Sequence, residues 1–338
     1  MAAPVLFAAA IVLSKVLLGS IEPVFLAGGL YLGSGVGLGI FCWGSRLLGR
    51  ATEAPLAGKD VPWLAAAIVL GGVVGPLLLM LGLRATPAAT ASLLLNLEVA
   101  LTALVAVLVF HEQIGLRGGL AIALVAAGGM ALTWTNRFSI ETAWGSLAIA
   151  GACLSWALDN NLSQRVSAKD PVQIAAIKGL AAGAFNVLLA LVLGAKIPGT
   201  ALLLAMACVG FFGYGVSLVC FMRSLRNIGI ARTSMYFALA PFLGAIAGVV
   251  FLKEPLTAQM AVAAVLMGLG AWSSLSERHE HEHVHREVHE HRHSHDPHHR
   301  HEHGADAGTS SPHSHSHSHA GTTHSHPHDP DIHHREHH

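Results

Sequence analysis

The sequence predicts an all-α polytopic membrane protein, with ten transmembrane helices in two inverted five-helix repeats and a disordered C-terminal tail. Three observations predict it. Of 338 residues, 53% are hydrophobic and only 12% charged, with a mean hydropathy of +0.54, whereas soluble domains carry about 25% charge. The apolar residues fall into long runs, and those runs recur in register in the two halves. The net charge of zero is itself divided, since residues 277–338 hold 5 Arg against 11 acidic residues, and 23 of the 24 His.

A hydrocarbon layer about 30 Å thick takes about 20 apolar residues per helix, whose backbone must satisfy its own hydrogen bonds. Such runs cover residues 3–20, 24–46, 61–83, 87–110, 116–135, 142–164, 172–194, 200–222, 230–252 and 256–275. The first has the length of a signal-peptide core from Pro4 to Leu13, but no basic residue precedes it and no small-residue cleavage site follows. It reads as the first membrane helix. Glu22-Pro23, Arg84-Ala85-Thr86-Pro87 and Asp170-Pro171 mark breaks between runs. Glycines inside the runs permit close helix packing in lipid. Cys42, Cys153, Cys208 and Cys220 stand singly, without CxxC spacing, and read as small buried thiols.

Residues 92–130 align with 234–272 at a constant offset of 142: Ser92 meets Ser234, Leu97 meets Leu239, Glu112 meets Glu254 and Gly128 meets Gly270. Glu22-Pro23-Val24, Leu32 and Gly35 meet Asp170-Pro171-Val172, Leu180 and Gly183 at an offset of 148. The chain divides into a first repeat (1–135), a second (136–275) and a tail (276–338). Five helices per copy is odd, so the second copy enters from the opposite face, as in many secondary transporters. Arg46, Arg50, Lys59, Arg117, Arg165, Lys169, Arg223, Arg226 and Arg232 fall on one side, against Arg84, Arg137, Lys196 and Lys253 on the other. This asymmetry places both termini in the cytoplasm, in a cell (inner or plasma) membrane.

Each repeat carries an apolar helix, a lone Glu and another apolar helix: Leu-Val-Phe-His111-Glu112-Gln and Val-Phe-Leu-Lys253-Glu254-Pro. On this pattern residues 3–275 resemble the EamA-type drug/metabolite transporters. The resemblance implies a ten-helix carrier of small metabolites, often outward, and names no solute. The segments Cys153-Leu-Ser-Trp156-Ala-Leu-Asp159-Asn160-Asn161 and Leu94-Leu-Asn96-Leu-Glu98 resemble a branch with histidine tails. Glu98-Val99 stands where the second repeat has Ala240-Pro241, so the first half lacks that proline.

Glu98 lies mid-span, where an ionised side chain costs roughly 2.5–3.5 kcal/mol on insertion scales and must face the bundle interior. It is a candidate for substrate or proton binding, or a protonated group bonding a neighbouring helix. Asn96 and Trp156 accompany it as candidate solute contacts. Pro241 frees a mid-span carbonyl, that of Phe237, with Tyr236 beside it; a purely structural kink is the alternative. Asp159, next to Asn160, lies at the depth of Lys178, and the two are expected to form a gate or a static clamp, unless Lys178 snorkels. Lys15 is a candidate for an anionic substrate group or for Glu98, with snorkelling as the alternative. Glu112 and Glu254 sit at helix ends and read as solvated caps or structural groups.

In the tail, His279, His281, His283, His285, His289, His291, His293, His295, His313, His315, His317 and His319 recur as His-x-His among acids and serines. Imidazole suits Zn, Ni and Co, and without cysteine spacing the pattern predicts several weak, exchanging sites rather than a preformed cage. Three functions compete: a secondary carrier with a regulatory tail, a divalent-metal exporter, and a membrane-anchored metal sensor. The expected partners are the bilayer, a small solute, divalent metals at the tail and a second copy of the chain, without nucleic acid. No cofactor is required, and no nucleophile–base motif, phosphate loop or cofactor fingerprint supports an enzyme.

Overall fold

A computed structural model describes residues 2–47, 58–110, 115–133, 140–163, 170–228 and 236–275, and four six-residue pieces of the tail. Among the described residues, helix falls in each apolar run. The α-helices are α1 (Ala2–Leu17), α2 (Pro23–Leu47), α3 (Val61–Ala67), α4 (Gly75–Ala85), α5 (Ala88–Leu94), α6 (Leu97–Phe110), α7 (Leu116–Thr133), α8 (Ile140–Ser163), α9 (Pro171–Val192), α10 (Thr200–Gly210), α11 (Ser217–Ile228), α12 (Ala240–Phe251) and α13 (Ala258–Leu275). Six continuous stretches are long and apolar enough to cross a membrane: Pro23–Ser45, Val61–Ala85, Ala88–Val109, Leu116–Thr133, Val172–Val192 and Thr200–Phe221. Three shorter apolar helices accompany them, Ala2–Leu17, Ala240–Phe251 and Ala258–Ser273. Large apolar side chains such as Leu108, Leu147 and Ile246 face outward, as a lipid-solvated surface requires.

Two of the stretches are wound as π-helix at their centres, Ile68–Val74 between α3 and α4, and Phe211–Val216 between α10 and α11. Gly71 and Gly213, one in each, are equivalent at the offset of 142. Two further interruptions also correspond within a residue, at Leu95-Asn96 and Ala238-Leu239. The second was expected from Pro241, yet Pro241 opens α12 as a first-turn residue instead of kinking a continuous helix. The first half breaks without a proline, where the Asn96 amide turns back to donate to the Leu93 carbonyl at 3.0 Å.

Packing relies on glycine where backbones touch. A Cβ at Gly35 would lie against the Leu180 backbone nitrogen and Cγ, and a Cβ at Gly183 against those of Leu32. Gly35 and Gly183 are repeat equivalents, as are Leu32 and Leu180, so α2 and α9 meet reciprocally. The same exchange holds between α7 and α13, where Gly128 packs on Met267 and Gly270 on Val125. The core between these pairs buries Leu26, Leu79, Leu83, Leu94, Ile149 and Met267 completely.

In the tail, where an unstructured extension was expected, the described residues are strands β1 (His279–Val284), β2 (Val288–His293), β3 (His313–Ser318) and β4 (Thr323–His328). β1 pairs antiparallel with β4 and β2 with β3, setting His281 opposite His326 and His291 opposite His315. The period-two His-x-His pattern matches a strand. Isolated two-stranded ladders are marginally stable at best in water. His285, His295 and His319 lie outside the described residues.

Candidate functional site

The first π segment gathers the site. A π turn displaces carbonyls from the α-helical ladder, and such turns recur at functional sites. Side chains from three other helices meet these carbonyls. The Gly71 carbonyl accepts from Tyr31 Oη on α2 and from Trp156 Nε1 on α8, both at 3.0 Å. Asn186 Nδ2 on α9 reaches the carbonyls of Gly72 at 3.5 Å and Val73 at 3.4 Å. Glycine admits α8 this closely, because a Cβ at Gly71 would overlap the Asp159 carboxylate and one at Gly75 would lie 2.6 Å from Trp156 Nε1.

On α8, Ile149, Cys153, Trp156 and Asn160 share one face at i, i+4, i+7 and i+11. The first three are buried and Asn160, on the same inward face, is exposed. The lipid-side residues Trp144, Leu147 and Leu154 lie on a different face. Asn160 Nδ2 donates to Glu98 Oε1 at 3.0 Å. Glu98, half-buried in the first turn of α6, lies on the side of that helix that buries Val105. Asn161 ties the same helices by donating to the Thr102 carbonyl at 3.3 Å.

Asp159 pairs with Lys178 of α9 and accepts from Ser163 Oγ at 3.0 Å; the paired side chains are 8% and 17% exposed. Their charges cancel. Among the described residues no cation lies within ion-pair distance of Glu98. Five elements thus bring together Tyr31, Gly71, Glu98, Trp156, Asp159–Lys178 and Asn160. From Tyr31 a row of rings continues: Tyr31 to Tyr214 at 5.7 Å, Tyr214 to Phe7 at 5.9 Å and Phe7 to Phe237 at 5.8 Å between centroids. The buried hydroxyls of Tyr214 and Ser14 lie beside each other and have no other hydrogen-bond partner among the described residues.

Lys15 is placed differently from expectation. Its Nζ donates to the carbonyls of Leu83 at 2.6 Å, Thr86 at 2.8 Å and Arg84 at 3.2 Å, and so caps the C-terminal end of α4. Unpaired carbonyls at a helix end attract a cation, and that attraction holds Lys15 away from Glu98. Glu254 caps the other side of the same joint, its two oxygens accepting from the amides of Ala88 and Ala89 at 2.7 Å each. An exposed Glu22–Arg84 pair at 3.1 Å lies beside them. Glu112 lies outside the described residues. Asn96 is buried on Leu93 and Met267 rather than turned to a solute. Tyr236, partly exposed, and Pro241 have no described contact with the Glu98–Asn160 pair. Tyr31, Gly71 and Asn186 were missed in the sequence, although the mid-span Gly71-Gly72 pair, with Gly213 as its repeat counterpart, was a usable signal. A separate groove of about 670 Å³ between α2 and α10 is lined by residues such as Leu32, Val36, Ile40 and Phe211. Its walls suit acyl chains and give no polar solute a partner.

The family model of the EamA-like transporters matches residues 1–134 and again 143–276. The chain belongs to the EamA-like transporter family. It is a multi-pass membrane transporter, in a family of transporters rather than enzymes. It is 28% identical over 286 residues to an uncharacterized transporter of Methanothermobacter thermautotrophicus, covering 80% of this chain and 83% of that protein. A solved crystal structure at 20% identity shares the fold with a TM-score of 0.56, across 81% of this chain and 96% of the other.

Proposed function

We propose that this EamA-like transporter is a secondary-active carrier that moves a small metabolite by alternating access. Ten helices cross as two inverted halves, with both ends in the cytoplasm of a cell membrane. The reciprocal glycine contacts of α2 with α9 and of α7 with α13 support the inversion, because a twofold axis makes each contact occur twice. The recurring π segments support it as well.

The observation that carries the reading is a mid-span carboxylate, Glu98, opening into the bundle beside a neutralised ion pair. An intramembrane ionisable group facing the interior marks a solute or ion path. Lys15, Glu254 and Glu22–Arg84 close the extracellular end in this arrangement, and Glu98 with Asn160 opens towards the cytoplasm. The Asp159–Lys178 pair is the group that rearranges when the bundle opens the other way.

Metal ions belong to the tail in this reading. Among the described residues no three His, Cys, Asp or Glu side chains converge on one point, and the reason for placing metal in the tail is its density of histidines. The tail binds divalent ions through its histidines and modulates the carrier. Metabolite profiling of cells with and without the protein, alongside Glu98→Gln, tests the proposal: a solute whose distribution changes with the wild type and not with the variant is expected. An unchanged profile for wild type removes the carrier reading and favours a sensor.

A further inference from the structure

Resting on the carrier reading, we infer that the solute is a small organic monocation with N–H donors, a protonated amine or guanidinium, exchanged for a proton at Glu98. Charge balance comes first. Asp159 and Lys178 neutralise each other, which leaves ionised Glu98 as one uncompensated negative charge in low dielectric. One positive charge restores neutrality, and a bound proton and a cationic solute are alternatives for the same carboxylate. An anionic solute would double the deficit.

The polar groups set the type of cation. Asn160 spends an N–H on Glu98 Oε1, so the carboxylate and the amide oxygen of Asn160 remain to accept from a ligand. Both favour a cation that carries N–H groups over a quaternary ammonium. The walls define the remainder. Tyr31 shares the Gly71 carbonyl with Trp156, four residues before Asn160, and its ring lies 5.7 Å from that of Tyr214, so aromatic surface, which holds cations and flat apolar groups alike, adjoins the site. The titratable groups facing Glu98 from its neighbours are Asp159 on α8, Lys178 on α9, Tyr31 on α2 and Cys153 on α8.

The exchange balances without a further reactant. The cation binds from one compartment as Glu98 releases its proton to that same compartment, and after the bundle reopens a proton from the opposite compartment displaces the cation there, so one proton crosses against each cation.

The full-length protein in proteoliposomes with an entrapped pH dye tests this, with benzylguanidinium as the probe because its fixed charge prevents free-base leakage. External probe is expected to alkalinise the lumen with wild type and Glu98→Asp and not with Glu98→Gln. The anion phenylmethanesulfonate, whose fixed charge prevents free-acid leakage, is expected to do nothing. Binding to detergent-solubilised wild type gives a readout independent of any variant: affinity falls about tenfold per pH unit once Glu98 is protonated, as competition for one site demands. Benzylguanidinium binding that is independent of pH, exchange retained in Glu98→Gln, or protein-dependent movement of phenylmethanesulfonate overturns the cation assignment. Failure of benzylguanidinium while profiling still shows a moved metabolite overturns it too and spares the carrier; failure of both removes the carrier.

Discussion

Replacing Gly71 by alanine puts a methyl group where the Asp159 carboxylate lies. Either the first π segment moves away from α8 or Asp159 moves away from Lys178. Overpacking of a close-fitted interior costs about 1–3 kcal/mol. Separating the nearly buried Asp159–Lys178 pair draws on the roughly 3–5 kcal/mol that breaking such a pair costs. Gly39 on α2 is the matched control, because a Cβ there meets nothing within 4 Å. Gly39→Ala only restricts the unfolded chain and is expected to stabilise by about 0.4–1 kcal/mol. The assay is the apparent melting temperature of full-length protein in one detergent at one scan rate, since unfolding of this kind is commonly irreversible. At about 2–4 °C per kcal/mol, Gly71→Ala lowers it by several degrees and Gly39→Ala raises it slightly. Gly71→Ala combined with Asp159→Ala loses less than the sum of the two changes, by about 1 kcal/mol, because the carboxylate that overlaps the new methyl most closely is gone and only the Cβ of residue 159 still has to shift. A Gly71→Ala protein melting at or above wild type, or strict additivity, refutes the packing argument.

Lys178→Met strands the Asp159 charge and is expected to cost about 3–5 kcal/mol, while Lys178→Met with Asp159→Asn recovers most of the melting temperature; equal losses in both would show that the pair is not coupled. Glu254→Gln loses a charge-assisted cap on the amides of Ala88 and Ala89 and is expected to cost about 1–2 kcal/mol in the same melting assay; an unshifted melting temperature counts against the cap. A chain ending at Leu275 is expected to lose Zn and Ni binding by equilibrium dialysis and to keep solute movement in vesicles; loss of movement would make the tail part of the path.

The helices were legible because bilayer thickness and backbone hydrogen bonding leave few choices for long apolar runs. The meeting of Asp159 with Lys178 was legible too, since both lie at similar depth on neighbouring spans and neither tolerates isolation in lipid. The partners of Lys15 were not legible: its depth could be inferred, but the carbonyls left unpaired at the end of α4 appear only once that helix ends against α1. Tyr31 and Asn186 were invisible for a related reason, as their partners are backbone carbonyls displaced by a π turn.

Composition and periodicity determined by themselves that this chain is helical and lipid-embedded, that its two halves share a pattern, and that Glu98 lies at depth, because each follows from one-dimensional spacing along the chain. Which groups share a site was settled by the tertiary structure. The turn that frees the Gly71 carbonyl, the face on which Asn160 opens and the cross-half grip of Glu254 on α5 depend on helix rotation and close glycine packing. Those are properties of pairs of helices, and no single segment of sequence encodes them.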